Sequence, residues 1–178
     1  ISQILIIDNN KKTLFSRFKE ISSKIIYVHM LGKNLGYGKG HNLSKRFLNL
    51  KKYHLILNPD IIFYENNCLE ILSKYMDDNP EVSLSQPLIC SYPSKEVQKL
   101  CKQNPTLLIQ FIRLFLTRFL TKNRFLKKLN DRYEMKSLAY KKDVIQTEYL
   151  SGCFMFCRVA DLNKVGWFDE QYFMYLED

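Results

Sequence analysis

Carboxylate side chains that directly follow apolar stretches are the residues of this sequence most able to do chemistry. Residues 55–57 are Leu-Ile-Leu, and Asn58, Pro59 and Asp60 come next. A short apolar run bounded by turn residues is typical of a buried strand, and a carboxylate at its end can bind Mg²⁺ or Mn²⁺. We therefore predict that Asp60 binds such an ion, although Asn-Pro-Asp is also ordinary turn chemistry.

The last two residues form a second acidic group. Glu177 and Asp178 follow an aromatic-rich stretch that contains Phe173 and Tyr175. Aromatic neighbours can partly desolvate a carboxylate, raise its pKa and so make it a better general base. The pair is therefore a candidate base, with an ordinary acidic surface pair as the alternative.

Two segments nearer the start have groups that suit a nucleotide. Asp8 follows the apolar stretch 3–7, where its carboxylate can accept a hydrogen bond from the N3–H of uracil or thymine. The glycine-rich stretch 32–42 fits neither a Walker motif nor a dinucleotide fingerprint. Its glycines would still let a nucleotide approach the backbone closely, and Asn34 and Asn42 offer amide groups. A polar turn and a flexible loop are the plainer interpretations.

Strand-like and helix-like stretches alternate through the first half of the chain. This alternation predicts an α/β fold with a mostly parallel sheet flanked by helices, and a length of 178 residues predicts a single domain. The predicted strands are residues 3–7, 25–28, 53–57 and 82–86, and the predicted helices are residues 12–22, 43–50 and 66–78.

The second half has a different pattern. Residues 106–121 predict a long helix with a broad apolar face, which could lie in the core, at a dimer contact or on a membrane surface. Residues 122–142 are rich in basic side chains and predict a mobile or surface segment. A strand over residues 148–157 and a short helix over residues 159–164 complete the expected elements.

Composition excludes some classes of protein. Hydrophobic residues make up 46% of the chain, which excludes a disordered protein. The net charge of +9 suits an anionic partner such as nucleotide phosphates, lipid headgroups or nucleic acid. The aromatic residues fall mostly at core-like spacings, which argues against a nucleic-acid-binding surface.

The order of these motifs resembles that of bacterial family 2 glycosyltransferases, and most of all the rhamnosyltransferase-like branch that builds O-antigen, capsule or lipooligosaccharide. The matching residues are Asp8-Asn9-Asn10, Asn34-Leu35-Gly36-Tyr37-Gly38 with Asn42, Leu57-Asn58-Pro59-Asp60, Leu100 to Thr106, Gly152-Cys153-Phe154-Met155 with Arg158, Val165-Gly166-Trp167-Phe168-Asp169-Glu170, and Phe173-Met174-Tyr175-Leu176-Glu177-Asp178.

The resemblance implies a GT-A fold with a Rossmann-like sheet, and inverting transfer of a sugar such as rhamnose from a dTDP- or UDP-linked donor. It places the pyrimidine base at Asp8, a Mg²⁺ or Mn²⁺ ion at Asp60, and the acceptor-activating base at Asp178. Asn58 stands where many relatives have the first carboxylate of Asp-X-Asp.

The resemblance also implies which residues form the pocket, which acceptor is used and where the reaction takes place. Asn58, Gly152, Asp169 and Glu170 would shape the donor and acceptor pocket. The acceptor would be a lipid-linked glycan at the cytoplasmic, inner face of the plasma membrane, with peripheral membrane contact. The family has one more strand before Ile1 and continues beyond Asp178, so we expect residues 1–178 to be an incomplete catalytic domain.

Three alternatives stay open at this stage. A nucleotidyltransferase shares carboxylates at strand ends, but the ordered motifs near the end of the chain argue against it. A basic module that binds nucleic acid is the second alternative. An inactive remnant of a longer enzyme is the third.

Overall fold

The computed structural model describes residues 1–13, 18, 21–98, 100–116, 122–135 and 144–173. These residues contain five strands and six helices. The strands are β1 (Ile4–Asp8), β2 (Ile25–His29), β3 (Tyr53–Leu57), β4 (Leu84–Ser85) and β5 (Phe154–Arg158). The helices are α1 (Tyr37–Asn42), α2 (Ser44–Phe47), α3 (Cys68–Asp78), α4 (Leu107–Phe115), α5 (Arg124–Tyr133) and α6 (Val159–Val165).

The chain divides into two compact units. The first comprises Ile1–Ile56, Phe63–Ser85 and Phe156–Asp178, and the second comprises Leu57–Ile62 and Gln86–Met155. The first unit therefore contains the β1–β2 sheet and the glycine-rich segment. The second contains the turn that follows β3 and the helices α4 and α5.

Strands β1 and β2 form a parallel pair. The register runs from Ile4 opposite Ile25 to Asp8 opposite His29. Both strands are rich in β-branched residues, which favour strand structure. The amide N–H of Met30 donates to the carbonyl of Asp8 at 2.8 Å, so pairing continues to the carboxyl end of both strands. Asp8 is thereby held at an edge of the sheet where ligands of α/β proteins commonly bind.

The other three strands form a sheet with the order β3-β5-β4. Strand β4 is antiparallel to β5, with Leu84 opposite Cys157. Bonds from Val159 N–H to the Lys52 carbonyl and from Asn58 N–H to the Cys153 carbonyl lie at opposite ends of the β3–β5 pair, so β3 also runs opposite to β5.

The predicted α/β class is confirmed, but a single, mostly parallel sheet is not found among the described strands. They form one parallel pair and one antiparallel three-stranded sheet. The physical reason is that hydrophobic pattern predicts where strands occur, whereas pairing between strands far apart in the sequence depends on tertiary packing.

Several predicted boundaries also need correction. Residues 37–42 of the glycine-rich stretch form α1 instead of a loop. Part of the segment predicted to be mobile or at the surface forms α5. Asn123 begins α5 by accepting hydrogen bonds from the amides of Phe125 and Leu126. Strand β5 begins at Phe154, six residues later than predicted. The predicted helix 12–22 and the end of the predicted helix 106–121 lie largely outside the described residues.

Arg158 connects β5 to the loop between α3 and β4. Its guanidinium donates to the carbonyls of Met76 at 2.7 Å and Val82 at 3.1 Å. Met76 is fully buried, and Ser85 donates its hydroxyl hydrogen to the Met76 sulfur at 3.2 Å. These contacts anchor the start of α6, and the segment that follows α6 carries Asp169 and Glu170.

Among the helices in the described part of the chain, none is long and apolar enough to cross a membrane.

Candidate functional site

The carboxylate of Asp8 is buried and held in place at the end of β1. The residue is 6% exposed. One carboxylate oxygen accepts a hydrogen bond from the amide of Asn10 at 2.9 Å, and the other accepts one from the hydroxyl of Tyr27. Each carboxylate oxygen can accept more than one hydrogen bond. The arrangement therefore orients the Asp8 carboxylate at the end of β1.

Asn9 connects the end of β1 to the glycine-rich segment. Its amide nitrogen donates to Asn34 Oδ1 at 3.3 Å, and Asn34 Oδ1 also accepts from the Gly36 amide at 3.0 Å. The side-chain oxygen of Asn9 is buried and has no hydrogen-bond partner within the part of the chain that the structure describes. A buried acceptor normally has a partner. Asn9 is thus a candidate ligand-binding residue that sequence reasoning missed.

Gly36 allows the closest backbone contact at this site. Its φ of 81° and ψ of 178° belong to a region that essentially only glycine adopts. A Cβ atom on residue 36 would lie 2.2 Å from the carbonyl oxygen of Phe173. That same oxygen accepts a hydrogen bond from the Tyr37 amide at 3.0 Å. The start of α1 is therefore held against the backbone of Phe173.

Asn42 makes a second connection between these segments. Its amide nitrogen donates to the Phe168 carbonyl at 2.9 Å and to Glu170 Oε1 at 3.0 Å, and its oxygen accepts from the Phe168 amide at 3.2 Å. Asn42 is 6% exposed. In this structure it positions the loop that contains Glu170. In the same loop, a carboxylate oxygen of Asp169 accepts a hydrogen bond from the Gln171 amide at 2.9 Å.

Aromatic side chains of α1 pack against Phe168 of the loop that contains Glu170. The rings of His41 and Tyr37 lie 4.4 Å apart, and Tyr37 packs edge-on against Phe168. The ring centroids of His54 and Trp167 lie 5.4 Å apart. Burial, and then the neighbouring His54, lower the pKa of His41 to about 4, and burial lowers the pKa of His54 to about 4. Both imidazoles are therefore neutral near pH 7.

Acidification should destabilise the protein through these two histidines. Between pH 6.5 and 4 the unfolded chain binds protons that the folded chain excludes, so the free energy of unfolding falls as pH falls. The expected slope is about 1.4 kcal/mol per pH unit for each ring. The pKa values of Asp77 and Asp161 are lowered below 3.8, so they contribute mainly at more acidic pH.

Urea unfolding at pH 7 and at pH 4.5 measures this effect. The double variant His41→Gln, His54→Gln is the control, because it removes both titrating rings and should flatten the dependence. Parallel pH profiles for the two proteins would contradict the assignment.

The predicted metal-binding segment lies in the second unit. The amide of Asn58 donates to the Cys153 carbonyl at 2.9 Å, which places Asn58 beside the segment containing Gly152. The amide of Ile61 donates a hydrogen bond to the Asn58 carbonyl at 3.3 Å. This bond closes a β-turn with Pro59 and Asp60 at its centre. Asp60 is exposed at this turn. The turn interpretation and a ligand role for Asp60 are therefore compatible.

Within each unit, the structure brings some of the predicted site residues together. Asn34 and Gly36 share a hydrogen bond, and Asn42 binds Glu170 directly. Asn58 and Asp60 share one turn. Glu177 and Asp178 lie outside the described residues. Among the described residues there is no group of three His, Cys, Asp or Glu side chains that could hold a metal ion.

Comparison with curated proteins indicates a relationship to glycosyltransferases. The chain is 25% identical over 182 aligned residues to the rhamnosyltransferase WbbL of Escherichia coli strain K12. The alignment covers 99% of this chain and 63% of that relative, so the chain spans less than two thirds of its length. No family model matches the chain. No solved structure matches it either.

Proposed function

We propose that this chain is the nucleotide-sugar-binding part of an inverting glycosyltransferase, which transfers a sugar such as rhamnose to a growing cell-surface glycan. The observation that carries the proposal is the double connection in the first unit. Gly36 and Tyr37 contact Phe173, and Asn42 binds Glu170. The glycine-rich segment thus contacts both Phe173 and the Phe168–Glu170 loop, which supports a shared site. The likeness to a rhamnosyltransferase extends over 99% of the chain.

In the first unit, the end of β1 would recognise the base of a dTDP- or UDP-linked sugar. The buried Asp8 carboxylate can accept from the ring N3–H. The side-chain oxygen of Asn9, which has no partner among the described residues, offers a second acceptor. Asn34 and Gly36 would present the adjoining backbone to the nucleotide. Asn42 would act on the nucleotide site indirectly, because its hydrogen bond holds Glu170 in position.

In the second unit, Asp60 would hold Mg²⁺ or Mn²⁺ together with the diphosphate of the donor. One exposed carboxylate plus phosphate oxygens is a donor set that Mg²⁺ commonly uses. It also agrees with finding no three-residue metal cluster among the described residues. When bound, the ion would neutralise negative charge on the departing diphosphate. Asn58 and Gly152 would border this turn.

The acceptor hydroxyl would be activated by Asp178, with Glu177 beside it. As the acceptor oxygen bonds to the anomeric carbon, the bond from that carbon to the diphosphate breaks and the hydroxyl proton passes to the Asp178 carboxylate. Attack from the face opposite the diphosphate inverts the configuration. A lipid-linked glycan at the cytoplasmic, inner face of the plasma membrane is the acceptor we propose.

Calorimetric titration with UDP and dTDP, each with and without Mn²⁺, tests this function. We expect one pyrimidine diphosphate to bind more tightly when Mn²⁺ is present, and ATP to bind weakly under the same conditions. The preferred diphosphate would also identify the donor base. Equal binding of ATP, or no binding of either pyrimidine diphosphate, would contradict the proposal.

Asp60→Asn should remove the Mn²⁺-dependent part of diphosphate binding and leave the metal-free part unchanged. The side chain is exposed at a turn, so the fold should not be affected. Asp78→Asn is the matched control, because it removes an exposed carboxylate from the end of α3 and changes the net charge equally. If Asp60→Asn binds diphosphate as wild type does with Mn²⁺, Asp60 does not hold the ion.

A further inference from the structure

Helix α4 has two apolar faces with different surroundings. Ile109 and Ile112 point inward and are 6% and 2% exposed. The remaining large apolar side chains of the helix point outward, and we call them the outer face of α4. They are Leu107 (86% exposed), Leu108 (60%), Phe111 (54%), Leu114 (73%) and Phe115 (65%).

The outer face is a continuous surface. Leu107, Phe111 and Leu114 are separated by four and three residues, as are residues on one side of a helix, and Leu108 and Phe115 extend the same side. Single exposed apolar side chains are common in proteins, but a contiguous group of this size marks an interaction surface.

Helix α5 packs beside α4 and is strongly cationic. Arg113 of α4 donates to Asn130 and to Glu134, each at 2.9 Å, which joins the two helices. Four exposed cations repeat along one side of α5 at spacings of three and four residues. They are Arg124, Lys127, Lys128 and Arg132.

Charge complementarity indicates which partner the outer face of α4 binds. Helix α4 has no acidic residue, and within α5 only Asp131 is acidic. A second copy of the chain would present the same apolar and cationic side chains and would offer no acidic residue on α4 to pair with the cations of α5. An anionic lipid surface offers acyl chains to the apolar side chains and phosphates to the cations.

We propose that the outer face of α4 docks on an anionic phospholipid bilayer, with the exposed cations of α5 binding the lipid phosphates. Leu107, Phe111 and Leu114 enter the boundary between headgroups and acyl chains, and the helix lies in the plane of the surface. This docking needs neither a nucleotide nor a metal ion. It can therefore hold or fail independently of the glycosyl transfer proposed above.

Vesicle co-sedimentation of the 178-residue chain tests the proposal. Wild type should bind vesicles of phosphatidylcholine with phosphatidylglycerol, bind vesicles of phosphatidylcholine alone weakly, and lose binding as salt is raised. The double variant Phe111→Glu, Leu114→Glu should bind the anionic vesicles about tenfold or more weakly. Circular dichroism checks that the variant is folded.

Two further variants make the test specific. Ile71→Glu changes a side chain that is 54% exposed on α3 and should bind as wild type does. Lys127→Glu, Lys128→Glu keeps the outer face but should weaken binding to anionic vesicles about tenfold or more. Equal binding by wild type and the Phe111, Leu114 variant, or no binding of wild type to anionic vesicles, would overturn the proposal. So would a wild-type dimer that this variant converts to monomer.

Discussion

Gly36→Ala should destabilise the first unit by about 3 kcal/mol or more and abolish binding of the nucleotide diphosphate. Two effects add. The backbone of residue 36 has a φ of 81° and ψ of 178°, which alanine adopts only with strain. The new methyl group would also lie 2.2 Å from the carbonyl oxygen and 3.0 Å from the carbonyl carbon of Phe173. Both are backbone atoms, so the segment itself must move.

Two other glycines separate these effects. Gly166 has a φ of 86° but open space around a Cβ, so Gly166→Ala should show the cost of backbone strain alone. Gly40 lies in α1 with open space and no positive φ, so Gly40→Ala should be neutral or slightly stabilising.

Urea unfolding of the three variants, together with calorimetry of the preferred diphosphate, gives the comparison. The expected order of destabilisation is Gly36, then Gly166, then Gly40. If Gly36→Ala is as stable as Gly40→Ala, the contact between α1 and Phe173 is not formed.

Asp178→Asn should lower sugar transfer by about 10²–10⁴-fold while donor affinity stays unchanged. The amide has almost the same shape as the carboxylate but cannot accept the proton of the acceptor hydroxyl. The test needs a form of the protein that transfers sugar, assayed with a dTDP- or UDP-linked donor and a membrane lipid extract as the source of acceptor. Calorimetry with the same donor measures binding separately.

Glu177→Gln is the matched control for this variant, because it makes the equivalent change at the adjacent residue. Transfer should fall less for Glu177→Gln than for Asp178→Asn. Retained turnover in Asp178→Asn would remove its role as base, and the reverse order would assign that role to Glu177. Loss of donor affinity together with transfer would indicate a binding role for Asp178 instead.

Local patterns predicted the strands well. Short apolar stretches, rich in β-branched residues in β1 and β2, indicated β1, β2 and β3 to within one residue at each end, because strand preference is a local property. The same reasoning missed α1, because glycines in a short segment are typical of a loop. Tertiary contacts stabilise this helix: Gly38, Gly40 and Asn42 are buried, and Asn42 binds the Phe168–Glu170 loop.

The site was predictable in part. Carboxylates at the ends of apolar stretches pointed to Asp8 and Asp60, and glycines pointed to Gly36. Asn9 was given no role because an amide beside a carboxylate in a polar turn carries no distinct pattern. Its side-chain oxygen draws attention only because it is buried and has no partner in the described part of the chain. The positioning role of Asn42 depends on Glu170, which is far away in the sequence.

By itself, then, the sequence determined the α/β class, the positions of most strands and the order of motifs that resembles a glycosyltransferase. These depend on residue type and local spacing. The pairing of the strands, the exposed face of α4, and the contacts of Gly36 with Phe173 and of Asn42 with Glu170 became known from the tertiary structure alone. These depend on contacts between residues distant in the chain, whose energies no local pattern contains.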